Sequence, residues 1–378
     1  MPLYIQSKEL KELLKNFTKL SRISSNAVAP ITFTFEPFQA IMMTEHAFII
    51  SQPTVSIVPP INTYTFNPEI LLDLAMTEGD VELHWENETS ALNMKNNYLR
   101  TALRVAVPRP EFIEMPEGIM SIEVPLGLLY AVEKYINLPH LYITSKKELT
   151  SIWFRKNSKG NLEICTDDDC SLARINTTIP VKLKSLDFKV PRYIIEALYS
   201  KGSLTDTTPV RIGVHGSKSL FSNVNTQIYS SSTNDESMDT FDAALDDFKP
   251  MVSCDFVPKK LSDAIKPLVS LIPKKDKGSN IVVNVNAQKM SMSILHQDVG
   301  EGIIDTVDGI SNIYLENSAK SIPIKMVPQI FQVHTDLLNI SQATMSANNS
   351  MVYYKGKCNV GDYVVDVEYL FPTSLGQV

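Results

Sequence analysis

Val124-Pro125 followed by LGLLYAVEKYI, residues 126–136, is an apolar-periodic segment entered through a proline. Proline in the first helical turn loses nothing, because its absent N–H would be unpaired there and its φ is already helical. The device recurs: Val190-Pro191 precedes RYIIEALYS, Val257-Pro258 precedes KKLSDAIKPLVSLI, Val327-Pro328 precedes QIFQVHTDLL, and Asn67-Pro68 precedes EILLDLAM. A helix over 7–23 lacks the proline but has Ser7 as N-cap. These helices pair as 7–23 with 68–78, 125–137 with 191–201, and 258–272 with 328–338, equivalent members lying roughly 120–135 residues apart, a domain-sized period.

Between the helices, apolar and polar residues alternate or form short runs rich in Val, Ile, Thr and aromatics, the pattern of strands. ITFTFEP, QAIMMTEHAFIIS and VELHWEN lie in the first third; SIWFRKN, NLEICTD, VRIGVHG and LFSNVNTQIYS in the middle; IVVNVNA, KMSMSILHQ, SMVYYKGK and YVVDVEYLF in the last. Each third therefore reads helix, strands, helix, strands. The expected fold class is α+β, with three similar domains of two helices packed on antiparallel sheet, over 1–117, 118–249 and 250–378. The boundaries fall at Phe112 to Ile119 and in the acidic stretch Asn234 to Pro250.

With 44% apolar and 20% charged residues in 378, the chain is not of a disordered, collagenous or membrane-spanning class. Basic residues number 35 against 42 acidic, a net charge of −7, which argues against a protein that simply coats nucleic acid. The longest apolar stretches are strand-sized and the opening MPLYIQSKELKELLK has no basic region followed by an apolar core, so a cytoplasmic protein is expected. Cys165, Cys170, Cys254 and Cys358 form no CxxC pair and have no histidine at zinc-ligand spacing; they read as reduced, buried thiols.

At about 100° per residue, Leu10, Leu13, Leu14, Phe17 and Leu20 of the first helix gather on one side. Lys8, Lys11, Lys15, Lys19 and Arg22 gather nearly opposite, with Glu9 and Glu12 off the stripe. On one helix, a solvated amphipathic face accounts for such a stripe. Lys259, Lys260 and Lys266 on a third-domain helix, and Lys189, Arg192 and Lys201 around a middle-domain helix, extend the bias, while Asp235, Glu236, Asp239, Asp242, Asp246 and Asp247 concentrate acid elsewhere. Helix pairs turned to one side would form a polyanion-binding surface, and lysines on phosphates hold duplex DNA without reading its sequence.

ELLKNFTKLSRISSNAVAPITFTF and YLRTALRVAVPRPEF in the first third, EVPLGLLYAVEKYI, CTDDDCSLARI and KVPRYIIEAL in the middle, and FVPKKLSDAI, SIPIKMVPQIFQVHTDLL and YLFPTSL in the last follow one another in a characteristic order and spacing. On these segments the chain resembles, over essentially its whole length, the bacterial beta sliding clamps, ring-shaped processivity factors of replicative DNA polymerase. The divergence fits a phage-type member.

The resemblance implies a non-catalytic protein without cofactor or metal. Two three-domain crescents would close head to tail into a homodimeric ring with helices inside. About twelve helices packed about 10 Å apart enclose a circle roughly 38 Å across, wide enough for a duplex and water. DNA-binding residues would be Lys8, Lys11, Lys15, Lys19, Arg22, Arg192, Lys259 and Lys266. Short linear peptides of the polymerase and clamp loader would dock in an apolar pocket of Leu149, Thr166, Leu172, Pro250, Phe371, Pro372 and Leu375. Ring closure would use Leu103, Arg104, Leu271 and Ile272, with Arg104 standing where an apolar residue is expected. Asp167, Asp168, Asp169 and Cys170 replace the family's glycine and basic positions, an acidic rim that favours peptides with Lys or Arg beside their apolar anchors. Gly376, Gln377 and Val378 extend past the family's usual end.

Enzyme signatures are weak. GVHGSKS, residues 213–219, has an extra serine for a phosphate loop and is followed by a strand pattern, so it reads as a hairpin turn. Asp167, Asp168 and Asp169 diverge in an extended segment, and the six histidines are scattered. Two other readings stay open: a monomeric β-rich peptide-binding adaptor that does not encircle DNA, and a hydrolase with a dispersed site.

Overall fold

The structure, a computed structural model, describes residues 3–24, 31–35, 38–43, 47–51, 64–66, 72, 80–86, 91–95, 100–104, 121–143, 151–168, 171–184, 186–192, 194–195, 198, 207–215, 218–223, 226–231, 239–272, 280–296, 300–327, 330 and 340–373. The chain divides into two compact units, Met1–Leu129 with Phe188–Asn234, and Tyr130–Asp187 with Asp235–Val378.

The first unit holds helix α1 (Ser7–Ser24) and two antiparallel sheets. A four-stranded sheet runs Leu3–Gln6, Asp80–Glu86, Ala91–Lys95, Arg100–Arg104. An eight-stranded sheet runs Tyr64–Phe66, Ile31–Phe35, Phe38–Met43, Ala47–Ser51, Thr226–Ser231, Lys218–Ser222, Pro209–His215, Ser121–Pro125. Its centre joins distant parts of the sequence, with Ser51 opposite Thr226 and Ala47 opposite Ser230. Buried Phe33, Ile49, Phe221 and Ile228 show its core face, and Phe188 meets Phe221 edge-on at 5.8 Å.

The second unit repeats the scheme. Strands Ser151–Lys156, Asn161–Asp168 and Ser171–Pro180 continue into Tyr363–Pro372, Met351–Val360, Ala343–Ala347, Val252–Phe256 and Ile310–Leu315. The join pairs Leu172 with Leu370 and Asn176 with Asp366. A four-stranded sheet runs Gly300–Ile304, Met290–His296, Ile281–Asn286, Ser321–Met326. Rings of Phe256, Tyr354, Phe371 and Tyr369 pack at centroid distances of 5.3–6.2 Å and fill the core.

The joins follow a rule. Three strands follow α1, three follow helix α2 (Leu126–Ile143), and in both sets the third strand pairs with the last strand of the next third of the chain. Two strands occupy the corresponding positions with one edge unpaired among the described residues: Gly300–Ile304, the third strand after the last-third helix, and Arg100–Arg104, the last strand of the first third.

The Val-Pro pairs mark strand-to-helix junctions. Strand Ser121–Pro125 ends on Val124, 1% exposed, and Pro125, so α2 starts one residue later than the sequence pattern places it. Pro191 likewise closes strand Asp187–Pro191 rather than opening a helix, and Ile194 and Ile195 are helical. Pro258 does open its helix, Pro258–Ser270, after an extended Val257 (φ −94°, ψ 111°). Most of the expected helices 68–78, 191–201 and 328–338 lies outside the described residues. The acidic stretch read as a domain boundary contains a helix, α3 (Asp239–Asp247), which makes Pro258–Ser270 α4.

Candidate functional site

Strand Leu3–Gln6 delivers the chain into α1, where Glu9 in the first turn meets the positive end of the helix dipole. Burial and the neighbouring Glu12 push the Glu9 carboxyl up. Leu10, Leu13, Leu14 and Phe17 are buried, as the 3.6-residue period requires. Lys8 and Lys15 are exposed and Lys11 is half-buried. Lys19 and Arg22 belong to the helix, but their side chains, like that of Leu20, lie outside the described set.

In the second unit α4 buries Leu261, Ile265 and Leu268 and leaves Lys259, Lys260 and Lys266 exposed. Lys266 pairs with Asp263 one turn earlier at 3.0 Å, an exposed pair that offsets its charge locally. Arg192, just past strand Asp187–Pro191 in the first unit, is half-buried.

Leu271 and Ile272 follow α4 and are half-buried. A Cβ on Gly302 of the edge strand Gly300–Ile304 would collide with Leu271 Cδ1 and stand 3.0 Å from Leu268 Cδ2, so glycine lets the end of α4 lie on that strand. Ile303, on the other face, is 58% exposed, and Leu295 on the adjacent strand is 79% exposed. Leu103 and Arg104 pair by backbone with Leu92 and Ala91, and their side chains are outside the described set.

The expected pocket residues Thr166, Leu172, Pro250, Phe371 and Pro372 all belong to the second unit; Leu149 and Leu375 lie outside the described residues. Thr166 and Phe371 are buried, the Thr166 hydroxyl accepting from the Ala173 N–H at 3.3 Å. Leu172, Pro250 and Pro372 are half-buried. Strand alternation puts Thr166 and Phe371 on one face of the sheet, Leu172 and Pro372 on the other, so neighbouring strands gather these residues without presenting them on one face. Asp167 and Asp168 end strand Asn161–Asp168, while Asp169, Cys170, Gly376, Gln377 and Val378 are outside the described residues.

A row of charged side chains crosses this sheet. Register aligns Arg155 with Glu163, Arg174 with Glu368, and Glu368 with Lys355, a row of alternating charge across five adjacent strands. Arg155 Nε donates to Glu163 Oε1, Arg174 Nε to Glu368 Oε2 at 2.6 Å, and Lys355 Nζ stands 2.9 Å from Glu368 Oε1. Tyr353 Oη also donates to Glu368, at 2.7 Å. Burial opposes charge on Glu368, but the hydrogen bond from Lys355, the Arg174 guanidinium and the Tyr353 hydroxyl outweigh it and hold its carboxyl below the ordinary range. Asp242 of α3 closes the row, accepting from Arg155 Nη2 at 3.3 Å and from Arg174 Nη1. Only strand register could have revealed this row, since its members lie up to 213 positions apart in the chain, from Arg155 to Glu368.

Cys165, Cys254 and Cys358 are buried and free. Burial, with Asp255 nearby, pushes the Cys254 thiol up to about 12, away from thiolate reactivity. His215 and Lys218 of the GVHGSKS segment stand opposite each other on antiparallel strands, and Gly216 and Ser217 lie outside the described residues. Among the described residues no group of three or more His, Cys, Asp or Glu is placed to hold a metal ion, and no helix is long and apolar enough to cross a membrane.

No family model and no curated protein matches the chain. Solved structures do. The DNA polymerase sliding clamp of Bacillus subtilis shares 16% identity over 98% of both chains at a TM-score of 0.76. The DNA polymerase III beta chain of Streptococcus pneumoniae shares 15% over 98% of this chain and 99% of that one, at 0.76. The beta subunit of Thermotoga maritima shares 14% over 99% and 100%, at 0.75. From end to end, the chain therefore has the fold of the bacterial DNA polymerase III beta subunits, the sliding clamps.

Proposed function

We propose that the chain is a DNA sliding clamp: a non-catalytic processivity factor, organised as three clamp domains over 1–117, 118–249 and 250–378, that encircles duplex DNA and tethers the replicative polymerase. The observation that carries this reading is the pair of strands, Gly300–Ile304 and Arg100–Arg104, that each leave one edge unpaired among the described residues. Two sheets are each made by the third strand of one set pairing with the last strand of the next third. Applied once more, that rule sets Gly300–Ile304 of one copy against Arg100–Arg104 of another. Head-to-tail pairing hides both edges. Leu271 and Ile272 beside the first edge, and Leu103 and Arg104 on the second, fall at that closure.

Lys8, Lys11, Lys15, Lys19, Arg22, Arg192, Lys259 and Lys266 would line the hole and meet phosphates. Each phosphate contact steepens the salt dependence of binding by about 0.9 log units per log of salt, and none reads a base. Topology holds the ring on DNA, so weak contacts suffice and sliding is allowed. Polymerase and clamp loader peptides would engage the pocket around Leu149, Thr166, Leu172, Pro250, Phe371, Pro372 and Leu375. A monomeric adaptor leaves both edges unexplained, and the sliding-clamp solved structures favour the ring. The test is retention on nicked circular DNA during gel filtration: the protein co-elutes with the circle and is released when the circle is linearised. Equal retention on linear and circular DNA would refute encirclement.

A further inference from the structure

The charged row borders a cleft of about 600 Å³ within the second unit, lined by none of the described peptide-pocket residues. Arg155, Arg174 and Lys355 face the carboxylates of Glu163 and Glu368, which leaves one positive charge in excess. Asp242 supplies the missing carboxylate, bridging both guanidinium groups. Its side chain is 53% exposed, whereas those of Glu163 and Glu368 are 5% and 4% exposed. The cleft reaches Lys159 and Lys357, which make no ion pair among the described residues.

The helix that carries Asp242 is weak on its own. α3 has nine residues, short for independent stability, and exposed Asp246 and Asp247 lie at its negative end with no basic residue in the last turn. It is held by the two arginines through Asp242 and, just past its end, by Phe248 against the Tyr353 ring at 6.2 Å.

We propose that this cleft is a docking site for an acidic peptide segment, and that Asp242 of α3 is its displaceable resident occupant. Forked guanidinium groups match carboxylates in geometry. A peptide with several spaced acids reaches Lys159 and Lys357 as well as the arginine pair, contacts beyond the single carboxylate that Asp242 offers. A nucleic-acid backbone fits poorly, because Glu163, Glu368 and Asp366 stay in the lining and oppose closely spaced phosphates. The proposal does not depend on encirclement of DNA, and a chain that failed the circle test could still pass this one.

The probe is a fluorescein-labelled peptide of residues 239–250, DTFDAALDDFKP, titrated against the full chain at low ionic strength and followed by anisotropy. Asp242→Asn should bind it about tenfold more tightly than the unaltered chain, since the competing carboxylate is gone. The double variant Lys159→Glu, Lys357→Glu, made in the Asp242→Asn background, should reverse the gain. Saturating the unaltered chain with the peptide should also speed hydrogen exchange of amides 239–247. Equal affinity for both proteins, no binding to a folded Asp242→Asn chain, or unchanged exchange in α3 would each overturn the proposal. So would displacement of the probe by a single-stranded oligonucleotide at lower concentration than by a Glu-rich peptide.

Discussion

Glu368 shows how much a single buried carboxylate can hold together. It is 3% exposed and receives Arg174, Lys355 and Tyr353. Its folded pKa lies below the ordinary 4.5, so its contribution to stability is fully present above that value and is lost as pH falls through the lowered folded value. Glu368→Gln should cost about 3–5 kcal/mol at neutral pH, because two cations lose their buried partner. It should also flatten the acid limb of a melting-temperature profile measured from pH 7 downward; an unchanged limb would mean another carboxylate governs it. The Lys355 end is 53% exposed, and Lys355→Met should cost no more than about 1 kcal/mol in urea titration. Neither residue stood out in the sequence. Strand alternation showed that Glu163 and Glu368 belong to strands, but which strands are neighbours is a tertiary fact.

Elements were legible where local chemistry agreed with the tertiary fold. In α1 the buried positions Leu10, Leu13, Leu14 and Phe17 follow the helical period, and the expected span 7–23 differs from Ser7–Ser24 by one residue. The Val-Pro pairs located the junctions and misjudged which side the proline falls on: Pro125 and Pro191 still belong to strands, whereas Pro258 starts a helix. Proline's fixed φ fits either a strand's last residue or a helix's first, so only the flanking hydrogen bonds decide. Helix α3 is not marked in the sequence, because its acidic residues suit a solvated linker and its docking to Arg155 and Arg174 is tertiary. The two faces of α1 should separate on mutation. Leu14→Ala, at a fully buried site, should destabilise the chain by about 2–5 kcal/mol. Lys15→Glu, at an exposed site, should leave the melting temperature within about a degree and shorten the lifetime on nicked circles. Should Lys15→Glu unfold the chain instead, the polar-face assignment of α1 fails.

At the scale of the molecule, the threefold recurrence of helices and strands gave the order of parts but not how the parts join. The first third shares a sheet with the middle third, and the middle third with the last, pairings that no local pattern encodes, because Ser51 meets Thr226 and Leu172 meets Leu370. The same rule leaves Gly300–Ile304 and Arg100–Arg104 as open ends. Edge strands that remain open in solution invite uncontrolled association, so their alignment in the repeat points to mutual closure. Ile303 makes this testable with little effect on the isolated chain. Its side chain is 58% exposed on the edge strand, so Ile303→Lys removes little packing from one copy, but an added strand would bury the ammonium. Together with Leu295→Lys on the same face, it should shift the mass measured by light scattering from two chains to one, keep the melting temperature of the single chain, and abolish retention on nicked circles. Gly302→Val attacks the same closure from the face toward α4, where a side chain would push Leu271 off the strand, and should lower both stability and assembly. If the Ile303→Lys, Leu295→Lys chain still measures as two copies, the edges do not close the ring, and the dimer uses another surface.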